Sequence, residues 1–250
     1  MMLTAASKLW MSIDWIFLAD SLGRSCKQAS IAGKRITDVG ASFSLKGSKL
    51  HFSNIKASAY GGLLAAESFL FDTGSKDFSS RKITIDRLDL QEFARDTKSY
   101  QDKTLAGKVS LELVGLAGNG SDAGTVVGKG RLVVRDAVLW EVPVFLKLVS
   151  LNFSELFSAR KQFDAGAVEF EIRNRKIAIE KLAMTSETAS VVGRGRIGFD
   201  GELHLTLKGK SGPLLGIDFF ILNWAGEILS FLTSGVEVDV RGTFDKPEIK

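Results

Sequence analysis

Residues 191–209 read VVGRGRIGFDGELHLTLKG, and within them Gly193, Gly195 and Gly198 spell the G-x-G-x-x-G of a dinucleotide-binding turn. That fingerprint works only where a strand ends at the first glycine and a helix starts at the last, so that helix N-terminal amides face a pyrophosphate. Here an Asp200-Gly201 hairpin signal follows, and then Leu203, Leu205 and Leu207 alternate with His204, Thr206 and Lys208 as a second strand. The glycines therefore belong to a β-hairpin. The spelling recurs in VVGKGRLVVRD, residues 126–136, where Gly128 and Gly130 stand in the places of Gly193 and Gly195. A repeated strand explains two copies better than a repeated cofactor loop. These four glycines are expected to serve strand curvature or close packing against a helix, not phosphate recognition.

The period of two extends along most of the chain. Val39, Ala41, Phe43 and Leu45 lead to a Gly47-Ser48 turn, followed by Leu50 and Phe52 and by IKASAYGGLLAAESFLFDTG, where Gly61-Gly62 marks a bend. Ile83 and Ile85 form another strand, DLQEFARDT reads as a short helix, and Val109, Leu111 and Leu113 resume the alternation. Val168, Phe170 and Ile172 run to a turn at Asn174-Arg175, beyond which lie Ile177 and Ile179; Val236, Val238 and Val240 close the series. Two stretches break the pattern. Residues 144–158 and 213–233 have helical spacing or helical length and apolar content. The second is long enough to span a bilayer, but Asp218, Asn223 and Glu227 interrupt it and favour a helix folded back on the sheet.

Composition limits what this sheet can do. The chain has 250 residues, 45% of them hydrophobic, which supplies a large core; 33 basic residues against 29 acidic ones give +4, a mixed surface. The single cysteine, Cys26, excludes an intramolecular disulfide and a thiolate zinc cluster. Lys8, Asp14 and Asp20 interrupt any signal-peptide apolar run, and the alternation of Met11, Ile13, Trp15 and Phe17 reads as a strand already under way, as in a fragment of a longer protein. His51 and His204 are the only histidines and both fall on polar sides of strands, so a triad or histidine metal site is not expected. No G-x-S-x-G, H-E-x-x-H or P-loop occurs. Basic residues at Arg173, Arg175, Lys176, Lys181, Arg194 and Arg196 lack neighbouring aromatic stacking partners, which disfavours nucleic acid and leaves lipid headgroups as partners.

The order of segments resembles the C-terminal region of AsmA-like proteins, the group related to TamB and YhdP. The resemblance runs from about Ile31 to Lys250, through the YGG pattern at Tyr60–Gly62, then GKVSLELVGLAGNGSDAGTVVGKGRLVVRD, FDAGAVEFEIRNRKIAIEKLAMTS, the VVGRGRIGFDG hairpin and the closing VDVRGTFDKPEIK. It implies a long, curved antiparallel β-groove in a bacterial envelope, anchored in the inner membrane in a full-length form, that shelters or conducts phospholipid toward the outer membrane or otherwise supports that membrane's assembly, without catalysis or cofactor. No anchor or signal peptide is visible in this chain. Residues 1–104 are expected to continue a longer groove, and 105–250 to form an AsmA-like β domain with the two helices packed near its C-terminal end. Val168, Phe170, Ile172, Ile177, Ile179, Ile197, Leu203, Leu205 and Leu207 are the expected lipid-facing side chains, each alternating with a polar neighbour. A filled core on the same face, or a scaffold that binds an envelope protein by strand addition, is the alternative.

Overall fold

A computed structural model describes residues 25–31, 34–97, 100–102, 105–138, 163–187, 189–213, 236–243 and 246–249. They form one antiparallel sheet of thirteen strands in which every strand pairs with its neighbours in sequence. The strands are β1 (Ser25–Ile31), β2 (Lys34–Lys46), β3 (Lys49–Ala59), β4 (Gly62–Asp72), β5 (Asp77–Asp89), β6 (Ala106–Asn119), β7 (Asp122–Val138), β8 (Phe163–Arg173), β9 (Lys176–Thr185), β10 (Ala189–Gly198), β11 (Glu202–Ser211), β12 (Val236–Thr243) and β13 (Pro247–Ile249). The first strand does not pair with the last, so the sheet is open, not a barrel. Pairing of β5 with β6 carries it without a break across residues 104 and 105, where the sequence suggested a domain boundary.

Short polar turns explain this meander. Residues 46–49, 72–77, 119–122, 173–176 and 198–202 close hairpins at one end of the sheet, with Gly47 and Gly201 at positive φ and Asn174 and Arg175 both left-handed, as a two-residue hairpin turn requires. Adjacent tips are tied together. Thr73 N–H donates to the Ser48 carbonyl at 2.8 Å, Asn119 Nδ2 to the Ser75 carbonyl at 2.7 Å, and Arg175 contacts Asp122 Oδ1 at 3.0 Å. Hydrogen bonds from Ser48 and from the Gly74 and Ser75 amides hold the Asp72 carboxyl below its ordinary range; the Gly124 amide and Arg175 do the same for Asp122.

Among the described residues the only helix is α1, Leu90–Arg95, which matches the helical reading of DLQEFARDT. Asp89 caps it, accepting from the Gln91 and Glu92 amides at 2.9 and 3.0 Å and from Lys108 Nζ at 2.7 Å. The Phe93 ring meets Tyr60 edge-on at 5.5 Å, with Lys34 Nζ 5.2 Å above it, and Ala94 is buried. This helix is not long and apolar enough to cross a membrane. The helices expected over 144–158 and 213–233 lie, apart from Pro213, outside the described residues, as does the strand expected over 11–18.

Alternation has one fault that the sequence reading passed over. The inward set steps from Phe52 to Ile55, from Ala66 to Phe69, from Ser80 to Ile83 and from Leu113 to Leu116, leaving two successive residues on the outer face each time. Pairing of β3 with β4, β4 with β5 and β5 with β6 keeps constant register through the fault, because all four strands carry it at the same level. Asn54 at φ 52° and Gly115 at φ 60° supply the left-handed residues, and regular β7 shifts against β6 where the fault ends.

The cap makes a pH prediction. Lys108 first, then the Glu92 and Gln91 amides, depress the Asp89 carboxyl, so its contribution to stability is complete above the unfolded value of about 4 and is lost as pH falls through the lowered folded value. Asp89→Ala is expected to cost about 1 kcal/mol at neutral pH. In thermal melts the gap between the two proteins should close toward pH 3.

Candidate functional site

Cross-strand partners in a ladder share a face, so the register can be read across the strands as well as along them. One row runs Ile55, Ala66, Ile83, Leu113, Gly130, Phe170, Ile179, Gly195, Leu205, Val240, Ile249, one residue from each of the eleven strands β3 to β13. Next to it lies Ala57, Leu64, Ile85, Leu111, Leu132, Val168, Leu182, Gly193, Leu207, Val238. Neither row contains a polar side chain. At about 4.8 Å per strand, the longer row spans roughly 48 Å.

The nine residues singled out from the sequence all fall in three adjacent rows of this face. Ile172, Ile177, Ile197 and Leu203 share one, Phe170, Ile179 and Leu205 the second, and Val168 and Leu207 the third. Their surroundings differ. Ile179, Leu203, Leu205 and Leu207 are buried in a cluster with Val191 and Val240, whereas Val168, Phe170, Ile172, Ile177 and Ile197 are only partly buried. Exposure grows toward β2: Ile83, Leu111 and Leu113 are half-buried, and Phe43 and Leu45 are 60% and 63% exposed. Rings of Phe43, Phe52, Phe69 and Phe78 follow one another at 6.4, 6.5 and 6.4 Å along that end. Sequence reasoning expected residues 1–104 to continue the groove but named lipid-facing side chains only in the C-terminal strands. Those of β3–β6 were obscured by the fault.

The repeated glycines sit inside these rows. A Cβ on Gly130 would lie 2.3 Å from Phe170 Cζ, so the missing side chain is the space that the Phe170 ring occupies. On Gly193 it would lie 2.4 Å from Leu207 Cδ2 and 2.7 Å from the Thr206 carbonyl oxygen; on Gly195, at φ 154°, it would lie 2.1 Å from the His204 carbonyl oxygen. Gly128 meets nothing closer than 3.4 Å. Close packing against neighbouring strands is thus the role of three of the four; the helices expected lie outside the described residues. β9 shifts register against both β8 and β10 around Glu180, the one extra residue between Ile179 and Leu182.

The opposite face is charged. Glu112, Arg131, Glu169 and Lys181 follow one another across β6 to β9 with alternating sign. Lys82–Glu112 at 2.9 Å, Lys181–Glu169 at 3.2 Å and Lys208–Glu237 at 2.9 Å are its ion pairs, and Glu112 raises the Lys82 ammonium above its ordinary value. Exposed pairs of this kind add little stability, and where β7 to β10 carry Val133, Ala167, Ala183 and Val192 the same face is apolar and buried. His51 is exposed on it, and His204 Nε2 lies 2.8 Å from Glu202 Oε1.

These features define a class: an open antiparallel sheet with one continuous apolar face and one charged face. No family model, curated protein or solved structure matches the chain.

Gly195→Ala is expected to cost about 2 kcal/mol or more, since backbone must move and the φ is unfavourable for any side chain. Gly128→Ala should change stability by less than about 0.5 kcal/mol. Urea denaturation of the two variants tests the difference between glycines that read alike in sequence.

Proposed function

We propose that this chain is a non-enzymatic, AsmA-like envelope protein of the bacterial periplasm whose apolar face shelters phospholipid acyl chains on their way to the outer membrane. The observation that carries the reading is the row from Ile55 to Ile249, apolar at every strand and perpendicular to the strands. An acyl chain of about fifteen carbons loses roughly 12 kcal/mol if exposed to water, at about 0.8 kcal/mol per methylene, so its route must be apolar without interruption. Gradation along the row supports an open path: Ile55, Ala66, Ile83, Leu113 and Phe170 stay partly accessible, whereas Ile179, Leu205 and Val240 belong to a buried cluster, although Ala57 and Phe78 on the same face are buried as well. On this reading the two apolar segments of the sequence, between β7 and β8 and between β11 and β12, close the C-terminal end of the groove. Residues 1–104 then extend the groove and 105–250 terminate it.

A second reading, an assembly scaffold, draws on the edges. Among the described residues β13 pairs only with Val240–Gly242, which leaves the rest of β12 without a further strand partner, and β1 pairs on one side only. Such edges accept a strand from a partner protein.

Charge substitutions separate path from core. Leu205→Asp, in the buried cluster, is expected to cost about 3 kcal/mol or more. Leu113→Asp, half-buried in the middle of the same row, should cost about 1–2 kcal/mol and leave the sheet folded, yet abolish photo-crosslinking of diacyl phospholipid to a benzophenone side chain at position 52. A folded Leu113→Asp protein that crosslinks lipid as well as the parent refutes the path. A co-purified protein partner without lipid, seen by native mass spectrometry, favours the scaffold.

A further inference from the structure

On the charged face, opposite the apolar rows, the strands β9 to β12 enclose a shallow depression of about 520 Å³. Ala178 and Thr206 are among its lining residues. The row Glu112, Arg131, Glu169, Lys181 on this face alternates sign and includes the Lys181–Glu169 ion pair. The row through the depression does not: Arg196 on β10, His204 on β11 and Arg241 on β12 stand side by side, two guanidiniums separated by about 9.6 Å of sheet with an imidazole between them. Neither guanidinium makes a hydrogen bond or ion pair among the described residues, although Glu248 lies in register beside Arg241. His204 Nε2 is engaged by Glu202.

The acids of the depression stand one step along the strands. Glu180, the extra residue of β9, stands beside Arg194, and Asp239 lies two strands from Arg194 beyond Thr206, whose hydroxyl donates to Asp239 Oδ1 at 2.8 Å. Neither acid forms an ion pair with an arginine among the described residues, so the depression sets Arg194, Arg196 and Arg241 against Glu180 and Asp239.

We propose that this depression is an anion site that takes a phosphate group between the guanidiniums of Arg196 and Arg241. Each guanidinium offers parallel N–H donors that match two phosphate oxygens, and two of them set on opposite sides of one depression are an arrangement that repels itself until an anion sits between. The site is on the face turned away from the acyl path, so it does not depend on that path being real. A lipid headgroup and free phosphate are both sources of the group.

The test compares two double variants of the full chain, Arg196→Gln/Arg241→Gln and Lys46→Gln/Lys49→Gln, which remove equal charge from the depression and from the exposed β2–β3 hairpin. Far-UV circular dichroism establishes that both stay folded. Calorimetric titration with inorganic phosphate should give saturable binding that the arginine pair weakens by about tenfold or more and the lysine pair leaves unchanged. Flotation with phosphatidylcholine vesicles containing phosphatidylglycerol then assigns the source: loss with the arginine pair points to a headgroup, and flotation untouched by it points to free phosphate. Equal weakening by both pairs, or no saturable phosphate binding by the parent, overturns the site.

Discussion

Fixed register between neighbouring strands is the constraint on which the rest of this molecule depends. A strand alone has only a local choice of faces; pairing such as Leu113 with Gly130 and Ile179 with Gly195 makes thirteen such choices agree. A slip of one residue at any ladder would turn the following strands over and put Glu or Arg into the apolar rows. Complementary volumes hold the register where the sheet is most crowded. Gly130 makes room for Phe170 and Gly193 for Leu207, and Gly195 lets β11 approach, so a large side chain fits only opposite a missing one.

From that register follow the two faces and their different energetics. Along β9 to β12 the apolar side chains bury one another, with Leu203 and Val240 fully inaccessible, and this cluster is where stability concentrates. Toward β2 the same rows lose cover and contribute less to stability while offering more surface to a ligand. A single structural rule therefore supports a firm end and an accessible end. The charged face, with its exposed ion pairs, adds solubility more than stability.

Much of this was legible in the sequence. Alternation at Val168–Ile172, Ile177–Ile179 and Leu203–Leu207, with Ile197, placed nine residues on what is one face, and the Asp200-Gly201 and Asn174-Arg175 turns marked their hairpins. The G-x-G repeat pointed to close packing. It could not say that Gly128 differs from its three counterparts, because that depends on which neighbour reaches across. The fault through β3 to β6 was hidden for a similar reason: apolar residues three apart, as in Phe52 and Ile55 or Leu113 and Leu116, read as broken alternation until all four strands are seen to break at one level. The Arg196–Arg241 pair was invisible, since its members lie forty-five positions apart and meet only through β11.

Acyl chains on one face, and only that face, is the central claim, and the molecule contains its own control. Leu63, Val114 and Val127 are exposed apolar side chains on the charged face, while Ile55, Ile83 and Leu113 line the apolar one. Methyl NMR of the protein with a spin-labelled phospholipid, the label carried on its acyl chain, compares the two sets directly. The account predicts strong broadening of the Ile55, Ile83 and Leu113 methyls and little at Leu63, Val114 and Val127. Equal broadening on both faces, or none on the apolar rows, would contradict it.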